Sequence, residues 1–240
     1  MDRIRRALFA LPVMFLLVLT GCATPQGPVP LDQAFWADQH ERIGIAITEV
    51  PKPQALMAGQ QGLLDVAINT AASATMRSKV ETWDTSSLKD FPKEVAKTLT
   101  ERGYQATVLE QPLKLNALKP VKGAKLGYSK LDYTSFKATH NVDKLVVFAV
   151  ASTGTYRTYY GFIPTSAPIT QVVVSAYVID LDDNRLLYYQ PFTTNRVVDG
   201  EWDEGPEFPN LTNTYYQALD QTQQNLMLPF KAQQISAVQP

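Results

Sequence analysis

The chain has one cysteine and two histidines in 240 residues, and each scarcity closes a class of chemistry. A single thiol builds no disulfide framework, and Cys22 with His40 and His140 spells out no soft-metal site, which needs several such ligands at set spacings. Serine-type catalysis needs a base beside the hydroxyl and a group to orient that base. No G-x-S-x-G occurs, and His40-Glu41 lacks the second histidine of a zinc-protease helix. With no cofactor motif either, the chain reads as non-catalytic. Basic residues are not in excess: 22 Lys and Arg face 23 Asp and Glu, a net charge of −1. Such a balance argues against nucleic acid as a partner and against electrostatic attraction to anionic lipid.

Apolar residues make up 45% of the chain, enough for one buried core. The first 21 residues read as a secretory signal: Arg3, Arg5 and Arg6 precede an apolar stretch over 7–19 that is too short to span a bilayer comfortably. Removing that segment takes the net charge from −1 to −3. The stretch ends in Leu19-Thr20-Gly21-Cys22, which resembles the lipobox of bacterial lipoproteins. The resemblance implies cleavage after Gly21, lipid on the Cys22 sulfur and a permanent membrane anchor, since two or more acyl chains hold stably where one does not. Ala23 is not the aspartate that marks inner-membrane retention in this class, so the resemblance implies the periplasmic side of the outer membrane. Residues 22–41 then read as a tether, opening with three prolines and a glycine between Thr24 and Pro30.

The folded part is expected over 42–228 as one α+β domain, with a frayed tail at 229–240. Residues 42–50 (RIGIAITEV) form a β-branched run stopped by Pro51 and Pro53, hence a strand. A helix is expected from Leu56 to about Val80, where Leu64, Ile68, Ala71 and Thr75 keep helical spacing. A second helix, over 91–102 with Asp90 as its cap, leads to a strand at 104–109, and a short helix fits 129–140. The run 144–151 (KLVVFAVA) has the texture of a central strand. Strands at 171–181 and 185–192 flank the turn Asp182-Asp183-Asn184. A last helix starts at Asn210 and ends before Pro229. The expected architecture is a mixed sheet of about five strands with helices packed on it, ending in an antiparallel hairpin and a C-terminal helix.

This order, with the opening strand Ile43-Gly44-Ile45-Ala46-Ile47, the strand Asp143-Lys144-Leu145-Val146-Val147-Phe148-Ala149-Val150 and the hairpin from Val172 to Tyr189, resembles the curli-secretion lipoprotein superfamily (CsgG-type). The resemblance covers about 42–226. It implies a periplasmic domain that self-associates or docks a partner in envelope assembly or export. Channel-forming members carry long amphipathic hairpins. Here the corresponding stretch, 153–168, is short and holds Pro164 and Pro168, which speaks against a channel.

Two stretches are candidates for binding. The aromatic run Tyr156, Arg157, Tyr159, Tyr160 and Phe162, with Trp202 as a second element, has the residue types that anchor protein interfaces. The competing reading extends the flanking strands and packs these rings over a sheet edge. The acidic loop Glu201, Asp203, Glu204 and Glu207 supports the alternative of a ligand- or cation-binding, hydrolytic domain. Asp180, Asp182, Asp183 and Asn184 lack the central glycine and distant glutamate of a calcium loop, so they read as a turn.

Overall fold

The computed structural model describes residues 25–231; the signal segment, Cys22 and the tail from 232 on lie outside the described residues. The fold is α+β, with one mixed seven-stranded sheet and five α-helices. In chain order these are β1 (Arg42–Ile47), β2 (Gln54–Gln60), α1 (Leu63–Ala72), α2 (Ala74–Val80), α3 (Ser86–Glu101), β3 (Gln105–Val108), α4 (Ser135–His140), β4 (Lys144–Tyr160), β5 (Ile163–Pro164), β6 (Ile169–Asp180), β7 (Leu186–Val197) and α5 (Pro209–Lys231). The sheet order is β3-β1-β4-β6-β7, with β2 and β5 also paired to β4.

The organising element is β4, 17 residues long. Its first part pairs with β1 in parallel (Ile43 to Lys144 through Ile47 to Phe148), and its second part pairs in the same sense with β2 (Gln54 to Gly154 through Gln60 to Tyr160). Thus β1 and β2 form one line along β4, broken where Pro51 and Pro53 cannot donate to a ladder. The base of β4 is apolar at nearly every position because both faces are covered. Val146, Phe148 and Val150 enter the main core, under α3 and α5, while Leu145 and Val147 enter a second core with Leu113, Tyr133 and Ile179. A bulge between Val150 and Ser152 shifts the register, so Thr153 and Thr155 are buried in the distal arm while Ser152 is half-buried.

Several expected boundaries shift. Residues 54–60 form a strand, not the start of a helix, because parallel pairing with β4 overrides the helix preference of Ala, Leu and Met. The helix after it is broken at Ser73. Helix α3 begins at Ser86, so Asp90 is no cap and Pro92 lies inside the helix. Pro229 sits within the last turn of α5 and does not end it. Strands β4 and β7 continue well past their expected ends and, with β6 from Ile169, form an arm.

The segment 22–41 is only in part a tether. Val29 pairs antiparallel with Tyr189, the Asp32 amide donates to Leu187 O at 2.8 Å, and Phe35 and Trp36 are core residues. Buried Lys144 fixes this strap by donating from Nζ to Ala34 O at 2.7 Å and pairing with Glu41. Arg102 lies 4.2 Å over the Trp36 ring. Nearer the start of the described residues, Gln26 Oε1 accepts from the Gly127 amide at 2.7 Å.

At the base, Asp143 accepts from Arg42 Nε, Nη2 and backbone N at 2.9, 2.9 and 3.0 Å. Those hydrogen bonds hold its carboxyl down to about pKa 2 against the opposing effect of burial. A folded pKa below the unfolded value of about 3.9 adds roughly 2 kcal/mol of stability that is complete above pH ~4 and lost as pH falls toward 2. Urea unfolding at pH 5 and pH 2.5 is expected to show this step, and Asp143→Asn to remove most of it.

Candidate interaction surface

Amphipathic helices normally turn their apolar side inward. Helix α1 does the reverse. Asp65, Asn69 and Ser73 lie four residues apart, on one stripe. Asn69 is only 3% exposed and donates from Nδ2 to Gly161 O at 3.1 Å and to Gln61 Oε1 at 2.8 Å. Asp65 accepts from the Gly62 amide at 2.8 Å, closing the first turn. What remains for solvent is apolar: Leu63 is 94% exposed and Leu64 73%, with Val66 and Ile68 also exposed. Leu64, Ile68, Ala71 and Thr75, whose spacing marked the helix, all face out.

Gly161 belongs to the turn at the end of β4, so Asn69 bolts α1 to the tip of the arm. At this turn Tyr160 is 65% and Phe162 60% exposed, and Ile163 pairs across from Tyr160. A large apolar side chain carries roughly 150 Å². Leu63, Leu64, Tyr160, Phe162 and Ile163 thus bring several hundred Å² of apolar surface to one end of the molecule, the scale at which exposed patches are commonly functional.

The face of the arm remote from α3 and α5 continues the pattern. Directly opposed residues share a face, and one such row runs Leu56, Tyr156, Ile169, Val197 across β2, β4, β6 and β7. All four are at least partly exposed, Val197 to 75%. The neighbouring row, Gln54, Gly154, Gln171 and Asn195, is polar, and the Gln171 and Asn195 side chains bond at 3.0 Å.

The structure therefore divides the aromatic run. Tyr160 and Phe162 are on the surface, and Tyr156 is half-buried on the open face. Tyr159 is 5% exposed, so it offers almost no surface, and Arg157 lies 5.7 Å from its ring and 4.8 Å from that of Trp202. Arg157 Nε also donates to Ser166 O at 2.8 Å. Arg157, Tyr159 and Trp202 form an internal stack instead of three free anchors. This 153–164 stretch is not a loop: it is strand through Tyr160 and again at Ile163–Pro164.

The acidic loop is engaged within the fold. Glu207 pairs with Lys79, and Asn210 Nδ2 donates to Glu204 Oε2 at 3.1 Å and to Glu201 O at 2.9 Å. Among the described residues no group of three His, Cys, Asp or Glu is placed to hold a metal ion. His140 stacks on Phe136 with ring centres 5.2 Å apart, and the exposed His40 donates its amide to Asp38. A helix was expected over this stretch; that its apolar side faces out was missed by sequence reasoning, and the signal for it was the polar stripe Asp65, Asn69, Ser73.

No family model matches the chain, and no curated protein matches it. Among solved structures it is similar to the PelC dodecamer from Paraburkholderia phytofirmans, with 9% identity over 87% of this chain and 97% of that one and a TM-score of 0.35. It is also similar to protein XCC0632 from Xanthomonas campestris, with 11% identity, 85% and 92% coverage and a TM-score of 0.35. Lipoprotein GNA1162 from Neisseria meningitidis matches with 13% identity, 76% and 99% coverage and a TM-score of 0.26. Scores of this size assign neither family nor function.

Proposed function

We propose that this chain is a lipid-anchored, non-catalytic docking protein of the bacterial envelope, and that the apolar end of its arm is the contact surface. The single observation behind this reading is the inverted helix α1, which buries Asn69 and turns Leu63, Leu64, Val66 and Ile68 to solvent. Exposed apolar area of this kind is unfavourable in water by about 25 cal/mol per Å², so a partner that covers it gains that much in binding. The lipobox resemblance supplies the anchor on Cys22 and the outer membrane as its address.

Two measurements test the reading. Cys22→Ala is expected to move the full chain from the membrane fraction to the wash, and a chain that stays membrane-bound contradicts lipid anchoring. For the surface, Leu64→Cys is expected to be alkylated far more slowly in intact cells than in the purified, detergent-dispersed chain. Lys97→Cys, whose parent side chain is 77% exposed on α3, provides the control and should react alike in both. Equal rates at position 64 in the two settings contradict the docking surface.

A further inference from the structure

An overall charge of −1 conceals how the lysines are placed. Five of the 13, Lys114, Lys119, Lys122, Lys125 and Lys130, lie within 17 residues, and no Asp or Glu falls between Gln111 and Leu131. All five are exposed, and among the described residues none forms an ion pair. Grouped like charges repel one another, a cost that an opposing anionic surface removes. Apolar side chains between the lysines also face solvent: Leu126 is 62% exposed, and Val121 and Tyr128 are 37% exposed. The backbone here is nonetheless fixed. Val121 N donates to Lys130 O at 2.8 Å and Asp132 N to Lys119 O at 2.9 Å, which closes a loop over 119–132. Ser129 N ties that loop to Asn184 O, in the turn between β6 and β7, at 3.0 Å. The carboxylates nearest to it, Asp132 and Asp183, line the cleft that the loop shares with this turn.

We infer that this loop rests on acidic phospholipid headgroups of the bilayer that holds the anchor, its lysines on the phosphates and Leu126 and Val121 among the headgroups. This rests on the lipid-anchor reading above and adds an orientation to it. The loop is at the anchored end: Gly127 donates its amide to Gln26 Oε1, and Gln26 follows Cys22 by four residues, a span of at most about 14 Å. The arm's tip is at the other end. Asp180, just before the β6–β7 turn, pairs with Lys144 at the start of β4, and the 17 residues of β4 carry Tyr160 roughly 50 Å away. With the loop on the bilayer, α1 and the tip of the arm stand clear of it. A lysine near an acidic lipid surface raises partitioning about fivefold, and the effect reaches about one Debye length, ~10 Å in 0.1 M salt. The anchor already holds the loop within that range, so a contact too weak to recruit a free protein is populated here.

Fluorescence quenching tests this on the full lipidated chain. Leu126→Cys supplies the one free thiol, since Cys22 carries its lipid, and takes an environment-sensitive dye; Leu64→Cys, on α1, takes the same dye as the control. Both parent side chains are largely exposed, so folding is preserved. The labelled chains are reconstituted into vesicles of phosphatidylcholine, alone or mixed with phosphatidylglycerol, that carry a nitroxide on some headgroups. The dye at position 126 is expected to be strongly quenched in the acidic vesicles, and the dye at position 64 to keep its emission. Quenching at 126 should fall toward that of position 64 in phosphatidylcholine alone, and also on adding Lys122→Gln with Lys125→Gln, which weakens the contact about 25-fold at fivefold per lysine. An unquenched dye at 126 in acidic vesicles overturns the proposal. Equal quenching in both kinds of vesicle, or no response to the two lysine changes, overturns it too, because the tether alone then sets the distance. Flotation of the same samples separates the two readings: a chain that floats with the vesicles but is unquenched at 126 keeps its anchor and loses only the loop contact, whereas a chain that does not float removes both.

Discussion

Phe148→Ala is expected to cost about 4 kcal/mol of folding stability. Phe148 is fully buried in the base of β4 and meets Phe91 of α3 edge-to-face at 5.0 Å and Phe230 of α5 at 6.4 Å. Phe230 in turn lies 6.1 Å from Phe35 of the strap. One ring therefore joins the sheet, both long helices and, through Phe230, the N-terminal segment. Truncation leaves a cavity that cannot collapse, because its walls belong to elements fixed elsewhere: α5 by Leu211, Tyr215 and Leu219, and the strap by Lys144. For a chain of this size, 1 kcal/mol corresponds to about 2–4 °C, so the midpoint should fall by roughly 8–16 °C in a thermal melt followed by circular dichroism. A fall of under about 3 °C would show that the aromatic junction is not what holds these layers together.

The second large effect is on association, with stability almost untouched. Leu63→Ser combined with Leu64→Ser removes two exposed side chains that touch no core, and surface changes of this kind usually stay within about 0.5 kcal/mol each. If α1 is covered in the working state, the same two changes remove apolar burial worth about 3 kcal/mol or more, which is a hundredfold or more in affinity. The contrast with Phe148 separates a residue that holds the fold from residues held by the fold for something else.

Much of the fold was legible because burial and sequence texture agree at the base of the sheet. The run 145–150 is apolar throughout since two cores enclose it, and the hairpin turn shows in Asp182-Asp183-Asn184, where Asn184 takes a positive φ of 66°. Helix α5 shows its buried face in Leu211, Tyr215, Leu219 and Leu226. Legibility fails in the arm. There the bulge after Val150 changes which residues face in, and buried Thr153, Thr155 and Thr170 read as loop. The strap was hidden by its prolines, although Phe35 and Trp36 mark it as core. The surface was partly legible: Tyr160 and Phe162 were found by residue type, but Leu64 and Ile68 were read only as helical spacing and Leu63 was not singled out. Nothing local distinguishes an apolar stripe facing a core from one facing a partner; only the burial of Asn69 against Gly161 does.

Native electrophoresis of gently solubilised envelopes compares the full chain with its Leu63→Ser/Leu64→Ser form and tests the docking surface most directly. The parent is expected in a complex larger than one lipidated chain, and the doubly substituted chain as a single folded copy with an unchanged melting midpoint. The same size for both would mean that α1 turns its leucines to solvent without covering them in the cell, and the docking surface would have to be abandoned.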